Sequence, residues 1–195
     1  MNYLAHAYLS FNEPAVLAGN LISDYVKGKQ LLQYPEEVRK GIVLHRAIDA
    51  FTDDHAANRE AKNIFKPYYR LYSAAFIDVA YDHFLANDFQ QFTDDSLSRF
   101  SQEVYTSMDT FLHVFPERFK VVYPYMKQQN WLYNYRHRQG IERSFAGLVR
   151  RAAYLTDSDT AFKLFEDNYE ALQVYYANFF PALQQHALKV LHTLK

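Results

Sequence analysis

Residues 162–183 read FKLFEDNYEALQVYYANFFPAL. Phe162, Phe165, Tyr169, Leu172, Tyr176, Phe179 and Leu183 recur there at intervals of three and four. That period puts them on one face of an α-helix, whereas a strand would alternate every second residue. Seven apolar side chains in register are what a bundle helix needs to meet a core, and this outweighs the reading as an aromatic cofactor box. Pro181 is expected to kink or end the helix.

The rest of the chain agrees with this reading. Only 5 glycines and 6 prolines occur in 195 residues, too few for the tight turns of a β-sandwich or barrel. Ala15–Tyr25 reads as a short helix leading to Asp24, with Gly28 as its stop. Pro35, Glu36 and Glu37 open a stronger helix that runs to about Phe51 and carries Val38, Ile42, His45, Ile48 and Asp49 on related faces. Thr52 and Asp53 offer capping oxygens for the next helix, which includes Arg59 and Ile64. Further helices are predicted over Ser73–Leu85 and from Asp94 or Ser96, and Pro116 and Pro124 bracket a shorter aromatic segment. With no repeat, linker or low-complexity run, the expectation is an all-α, single-domain helical bundle over residues 1–195.

Composition narrows the function classes. A formal net charge of −1 argues against a general nucleic-acid binder. The absence of cysteine excludes disulfides, thiolate zinc sites and cysteine nucleophiles. Residues 1–10 lack the pattern of a signal peptide, and no apolar run approaches a membrane span, so a soluble, cytoplasmic protein is expected.

Chemistry-bearing residues gather in the first half. His6, His45, His55 and His83 lie there, with Asp24, Asp49, Asp78 and Asp82. His45 and Asp49 are four apart on one helix, as are Asp78 and Asp82, with His83 adjoining. Imidazole and carboxylate groups on several facing helices suit a divalent cation. Taken singly, such pairs can also be salt bridges, His83 a satisfied half-buried histidine, and Asp53 and Asp54 helix caps. The combination favours a metal, because Asp78, Asp82 and His45 sit among Ile42, Leu44, Ile48, Val79, Phe84 and Leu85, where a carboxylate needs compensation.

Four blocks in register carry a family likeness. They are Met1-Asn2-Tyr3-Leu4-Ala5-His6; Ala18-Gly19-Asn20-Leu21-Ile22-Ser23-Asp24; His45-Arg46-Ala47-Ile48-Asp49 with Thr52-Asp53; and Asp78-Val79-Ala80-Tyr81-Asp82-His83-Phe84-Leu85. A looser similarity continues through Trp131-Leu132, Tyr135-Arg136 and Arg150-Arg151. Over most of its length the chain resembles the acyl carrier protein phosphodiesterases, divergent relatives of the helical HD-type metal phosphohydrolases. The resemblance implies hydrolysis of the phosphodiester joining phosphopantetheine to a serine of acyl carrier protein, with a divalent metal, usually manganese. It also implies His6, Asp24, His45, Asp49, Asp82 and His83 as metal-site residues, foremost Asp24, His45 and Asp82. Here the adjacent pair runs Asp82-His83 rather than His-Asp, which leaves the ligand set open.

Under that reading Arg46 is either a clamp for phosphoryl charge or an ordinary surface ion pair. Asp49 or Asp53 would orient the attacking water or act as general base. Acyl carrier proteins are acidic, so a basic docking face is expected. Arg136, His137, Arg138, Arg143, Arg150 and Arg151 place six basic groups in sixteen residues, opposed only by Glu142 and flanked by Trp131, Tyr133 and Tyr135. The competing readings are a solvated helix face there, a phosphohydrolase of a nucleotide or other small phosphoester, and a non-catalytic helical binding module.

Overall fold

A computed structural model describes residues 1–194. Its described residues form eleven α-helices and no strand. The first half holds α1 (Tyr3–Tyr8), α2 (Pro14–Ile22), α3 (Glu36–Asp54), α4 (Ala56–Tyr69) and α5 (Ser73–Ala86). The second holds α6 (Asp94–Asp109), α7 (Glu117–Gln128), α8 (Trp131–Asn134), α9 (Arg138–Arg151), α10 (Asp159–Asp167) and α11 (Tyr169–Thr193). The all-α bundle expected from the apolar periodicity is what forms. Among the described residues no helix is long and apolar enough to cross a membrane.

Two prolines and one cap differ from expectation. Pro181 does not end its helix, since α11 continues to Thr193. The missing N–H and ring clash cost about 3 kcal/mol, and burial of Phe179, Phe180, Leu183, Ala187 and Leu191 on either side offsets it. Pro124 likewise lies inside α7 rather than at a boundary. The aromatic stripe is one face in sequence but two helices in space, broken at Asn168, whose side-chain amide donates to Leu164 O at 2.9 Å. Its members Phe165, Leu172, Phe179 and Leu183 are nevertheless fully buried. Thr52 and Asp53 do not cap α4. Thr52 lies within α3 and donates to Ile48 O, while the cap is His55, whose Nδ1 accepts from Ala57 N at 3.3 Å. Gly28 (φ 50°) opens a 3-10 turn over Gly28–Gln33, while α2 passes into another over Ser23–Tyr25.

α2 and α3 touch backbone to backbone. A Cβ on Gly19 would lie 1.9 Å from Val38 O, and one on Gly41 would lie 2.1 Å from Val16 O and 2.8 Å from Asn20 N. Any side chain at either position would have to push the helices apart. α11 lies across α3, α4 and α5 and covers the opposite side of the core. α5 is therefore enclosed nearly all round, with Phe76, Ile77 and every residue from Val79 to Ala86 buried.

Asp82 is a fully buried carboxylate in that helix. Its oxygens accept from the backbone N–H groups of Asn2 (3.3 Å), Leu4 (2.7 Å) and Ala5 (3.2 Å). The Asn2 side chain takes the N–H of Tyr3 at 2.9 Å. The first turn of α1 is thus satisfied by two side chains, and the negative charge sits at the favourable end of the helix. Burial, opposed by these N–H bonds, pushes the Asp82 carboxyl up to about 7.

Two outcomes test these contacts. Gly41→Ala should destabilise the protein by more than about 3 kcal/mol in urea unfolding, although alanine is intrinsically the better helix former by about 1 kcal/mol. Asp82→Ala should cost about 3 kcal/mol or more, because each N–H left unsatisfied costs about 1–3 kcal/mol.

Candidate metal centre

Three groups converge between α1 and α3. His6 Nε2, His45 Nε2 and an Asp49 carboxylate oxygen all lie within 4.8 Å of one another. His45 and Asp49 share a face of α3 by their four-residue spacing, with Nε2 to Oδ2 at 3.0 Å. α1 brings His6 against them, its ring stacked on His45 with centroids 3.9 Å apart. Asp24, in the 3-10 turn after α2, reaches His45 Nε2 at 3.2 Å from the solvent side, its side chain 70% exposed. Asp49 is 42% exposed, whereas both imidazoles are buried. A small crevice lined by Tyr3, His6, Asn20, Asp24 and His45 opens onto the group.

Asn20 sets the direction of both rings. Its amide nitrogen donates to His6 O (2.9 Å) and Ser10 Oγ (3.1 Å), so its Oδ1 must be the atom facing His6 Nδ1 at 2.8 Å. His6 Nδ1 is then the donor. His45 Nδ1 donates to the backbone oxygen of the same residue, also at 2.8 Å. Both rings therefore present Nε2 to a common point. His6 Nε2 has no hydrogen to give, lacks any hydrogen-bond partner among the described residues though buried, and lies only 3.3 Å from Asp49 Oδ1. Two lone pairs at that distance call for a positive charge between them, and the two nitrogens with one carboxylate suit a borderline divalent cation.

The electrostatics divide the two histidines. Burial, with His45 beside it, holds His6 down at about 4. Burial also pulls on His45, but the carboxylates of Asp24 and Asp49 outweigh it and hold that ring up at about 9. Burial would raise Asp49, yet the hydrogen bond from His45 and the nearby charge of the Met1 amine keep it far below the ordinary carboxylate range. Asp24 is lowered chiefly by its bond from His45.

The other sequence-predicted residues have different partners. Asp82 is taken up by the N-terminus of α1, as described above. His83 donates from Nδ1 to Tyr135 O (2.7 Å) and meets the Tyr169 hydroxyl at Nε2 (2.9 Å), and burial holds it at about 4. Asp78 lies 3.0 Å from the Met1 α-amino group, which is 3.7 Å from Asp49. Asp53 is exposed and pairs with Lys62 at 2.7 Å. Arg46 donates to Val26 O at 3.0 Å, tying α3 to the segment that carries Asp24. Asn20 went unrecognised as a site residue, because an uncharged amide gives no signal of its own.

Comparison with known proteins agrees with the family likeness. The family profile described as acyl carrier protein phosphodiesterase matches residues 1–183. The chain belongs to the acyl carrier protein phosphodiesterase family. The acyl carrier protein phosphodiesterase of Salmonella paratyphi A (strain ATCC 9150 / SARB42) is 32% identical over 190 residues, 97% of this chain and 98% of that protein. Those of Enterobacter sp. (strain 638) and Yersinia pestis are each 31% identical over 188 residues, 96% of this chain and 97% of theirs. No solved structure matches.

In this member of the phosphodiesterase family the five arginines of the basic stretch are unlike one another. Arg136 is ion-paired with Asp94. Arg138 is paired with Glu166 and lies over the Tyr169 ring, 4.1 Å from its centroid. Arg143, Arg150 and Arg151 are exposed, have no ion pair among the described residues, and line a cleft of about 340 Å³ beside Trp131 and Tyr3. Asn2 and Tyr3 line both that cleft and the crevice over His6 and His45.

A titration of the metal-free protein followed by the imidazole NMR signals should separate two rings in van der Waals contact by about five pH units, His6 protonating near 4 and His45 near 9. Asn20→Ala should abolish the Nδ1–H preference of His6. An unchanged tautomer would remove Asn20 from its orienting role.

Proposed function

We propose that this chain is a divalent-metal-dependent phosphodiesterase that hydrolyses the bond between 4′-phosphopantetheine and a serine of holo-acyl carrier protein. Residues 1–195 act as one domain, in the cytoplasm, on a protein substrate rather than a nucleic acid. Family membership supports the reaction. The observation that carries the site is the convergence of His6, His45 and Asp49 ligand atoms within 4.8 Å, with a buried nitrogen left without a hydrogen-bond partner among the described residues.

His6, His45 and Asp49 are the residues that would hold the cation, with Asp24 beside them, and the family resemblance points to manganese. Such an ion supplies Lewis-acid polarisation of a phosphoryl oxygen and acidifies a water. The chain's own groups do the rest. Asn20 fixes the ring orientations, as outer-shell partners of ligating histidines commonly do. Asp24, the exposed carboxylate at the rim, is placed to orient the attacking water. Arg46 holds the Asp24 segment against α3 through Val26 O and acts as a positioning residue. Water adds to phosphorus, the P–O bond to serine breaks, and the serine oxygen leaves with a proton. The products are the apo-carrier and free 4′-phosphopantetheine. Arg143, Arg150 and Arg151 are the charges free to meet the acidic carrier protein, while Asp94 and Glu166 already occupy Arg136 and Arg138.

Incubation with holo-acyl carrier protein and manganese should remove the phosphopantetheine mass from the carrier, read by intact-mass spectrometry. His45→Ala should lower the rate at least a hundredfold while leaving the fold intact by circular dichroism. Retention of the arm by wild type with metal bound would instead favour a small phosphoester as substrate. Metal affinity should itself rise with pH. Without metal, His45 is protonated below about 9, so a cation must displace that proton. Between pH 7 and 8 the apparent affinity should therefore increase up to about tenfold, with close to one proton released per ion by calorimetry in buffers of different ionisation enthalpy.

A further inference from the structure

Gly147 sits in the interior of α9, where glycine is less favourable than alanine by about 1 kcal/mol. Packing does not explain it. A Cβ at Gly19, Gly41 or Gly140 would strike backbone oxygen at 1.9–2.1 Å. At Gly147 the nearest atoms would be only the guanidinium tips of Arg150 and Arg151, at 3.8 and 3.9 Å. The missing side chain keeps open the cleft between α8, α9 and the start of α1.

That cleft has the volume of a site for a small organic ligand, about 340 Å³, rather than a groove for a helix. Its lining offers hydrogen bonds of both kinds. Asn2 Nδ2 and Gln129 Nε2 are donors with no partner among the described residues, because the oxygens of these amides already accept from Tyr3 N and Trp131 Nε1. Asn134 has the opposite arrangement, its nitrogen committed to Gln129 O and its Oδ1 open. Trp131, Tyr3 and Val79 supply apolar surface between them. Unused amide donors, an unused acceptor and apolar spacers are what a flexible chain of amides requires. No carboxylate lines the cleft, and its wall at Asn2 and Tyr3 is shared with the crevice over the two histidines.

We propose that this cleft is the subsite for the pantetheine limb of the substrate, laid across Gly147 from the phosphate at the His6–His45 cluster, with the exposed arginines left at the rim for the carrier's acidic groups. The assignment rests on the phosphodiesterase reading above and adds where each limb of the diester lies.

Trp131 is the only tryptophan in the chain and lines the cleft, so its fluorescence reports occupancy. Titrating 4′-phosphopantetheine into the metal-free full chain should give a saturable change in emission. Gly147→Leu should weaken that binding at least tenfold. Gly147→Ala should weaken it several-fold with a melting temperature equal to or above wild type, which separates a filled cleft from a damaged fold. No saturable change in wild type, or equal affinity in wild type and both variants, overturns the subsite. Removal of the arm from holo-carrier by wild type and Gly147→Leu at equal rates also overturns it while the reaction stands. Binding that is lost in Gly147→Leu, with no hydrolysis by wild type plus manganese, upholds the subsite and overturns the reaction.

Discussion

The contact between Gly19 and Gly41 governs where the rest of the site can lie. A Cβ on either residue would come within 1.9–2.1 Å of a carbonyl oxygen on the facing helix, so α2 and α3 pack at a separation that only two glycines permit. Asn20 follows Gly19 directly, and His45 lies one turn beyond Gly41. The same approach therefore puts the Asn20 carbonyl 2.8 Å from His45 Nδ1. Were the helices even an ångström further apart, His45 would lose the acceptor that directs its Nε2 toward Asp24 and Asp49. Asn20 also reaches His6 with its side chain, so one residue orients two rings carried by two different helices. Close packing here acts on the chemistry through hydrogen-bond geometry, and apolar burial is only part of its effect.

The second constraint is the disposal of charge inside an apolar bundle. An ionised group without compensation is too costly to bury, and the chain compensates its buried and half-buried carboxylates in different ways. Asp82 is met by three backbone N–H groups, a use of helix-end donors that also anchors α1 to α5. Asp78 has the Met1 amine. Asp49 meets His45 Nε2 with one oxygen and with the other faces His6 Nε2, which cannot donate to it. Stability and site are separated by this arrangement. Asp82 holds the helix that delivers His6, and the cluster forms around the one buried nitrogen there that has no hydrogen-bond partner among the described residues.

This explains what could be read from the sequence. Helical period, scarce glycine and proline, and the His45–Asp49 spacing are local properties, so the all-α fold and one edge of the cluster were legible. The cost of burying Asp78 and Asp82 was legible too, but not what compensates it, because a backbone N–H carries no sequence label. Asp82 therefore resembled a ligand when its oxygens serve the first turn of α1. The break at Asn168 and the passage of α11 through Pro181 were hidden for a related reason. Tertiary burial of Phe179 through Leu191 overrides a local helix breaker, and an apolar stripe keeps its phase across a short interruption. His55 as a cap was missed because imidazole is an uncommon choice for that role.

The basic stretch shows the same limit in electrostatic form. Counting charges makes residues 136–151 one patch, yet an arginine held by Asp94 or Glu166 contributes little field beyond its partner. Three exposed guanidiniums without ion pairs among the described residues remain, all on α9 and all along one cleft. In a protein of net charge −1, a local positive field depends on which charges are left unneutralised, and that is decided by packing. α9 turns Arg138 toward α10 and leaves Arg143, Arg150 and Arg151 toward the start of α1. The same rotation puts Gly147 against the opening between them, so the helix that presents the positive charge also makes room beneath it. Field and cavity are then two consequences of one helix orientation, fixed by the burial of Ile141 and Phe145 on its inner face.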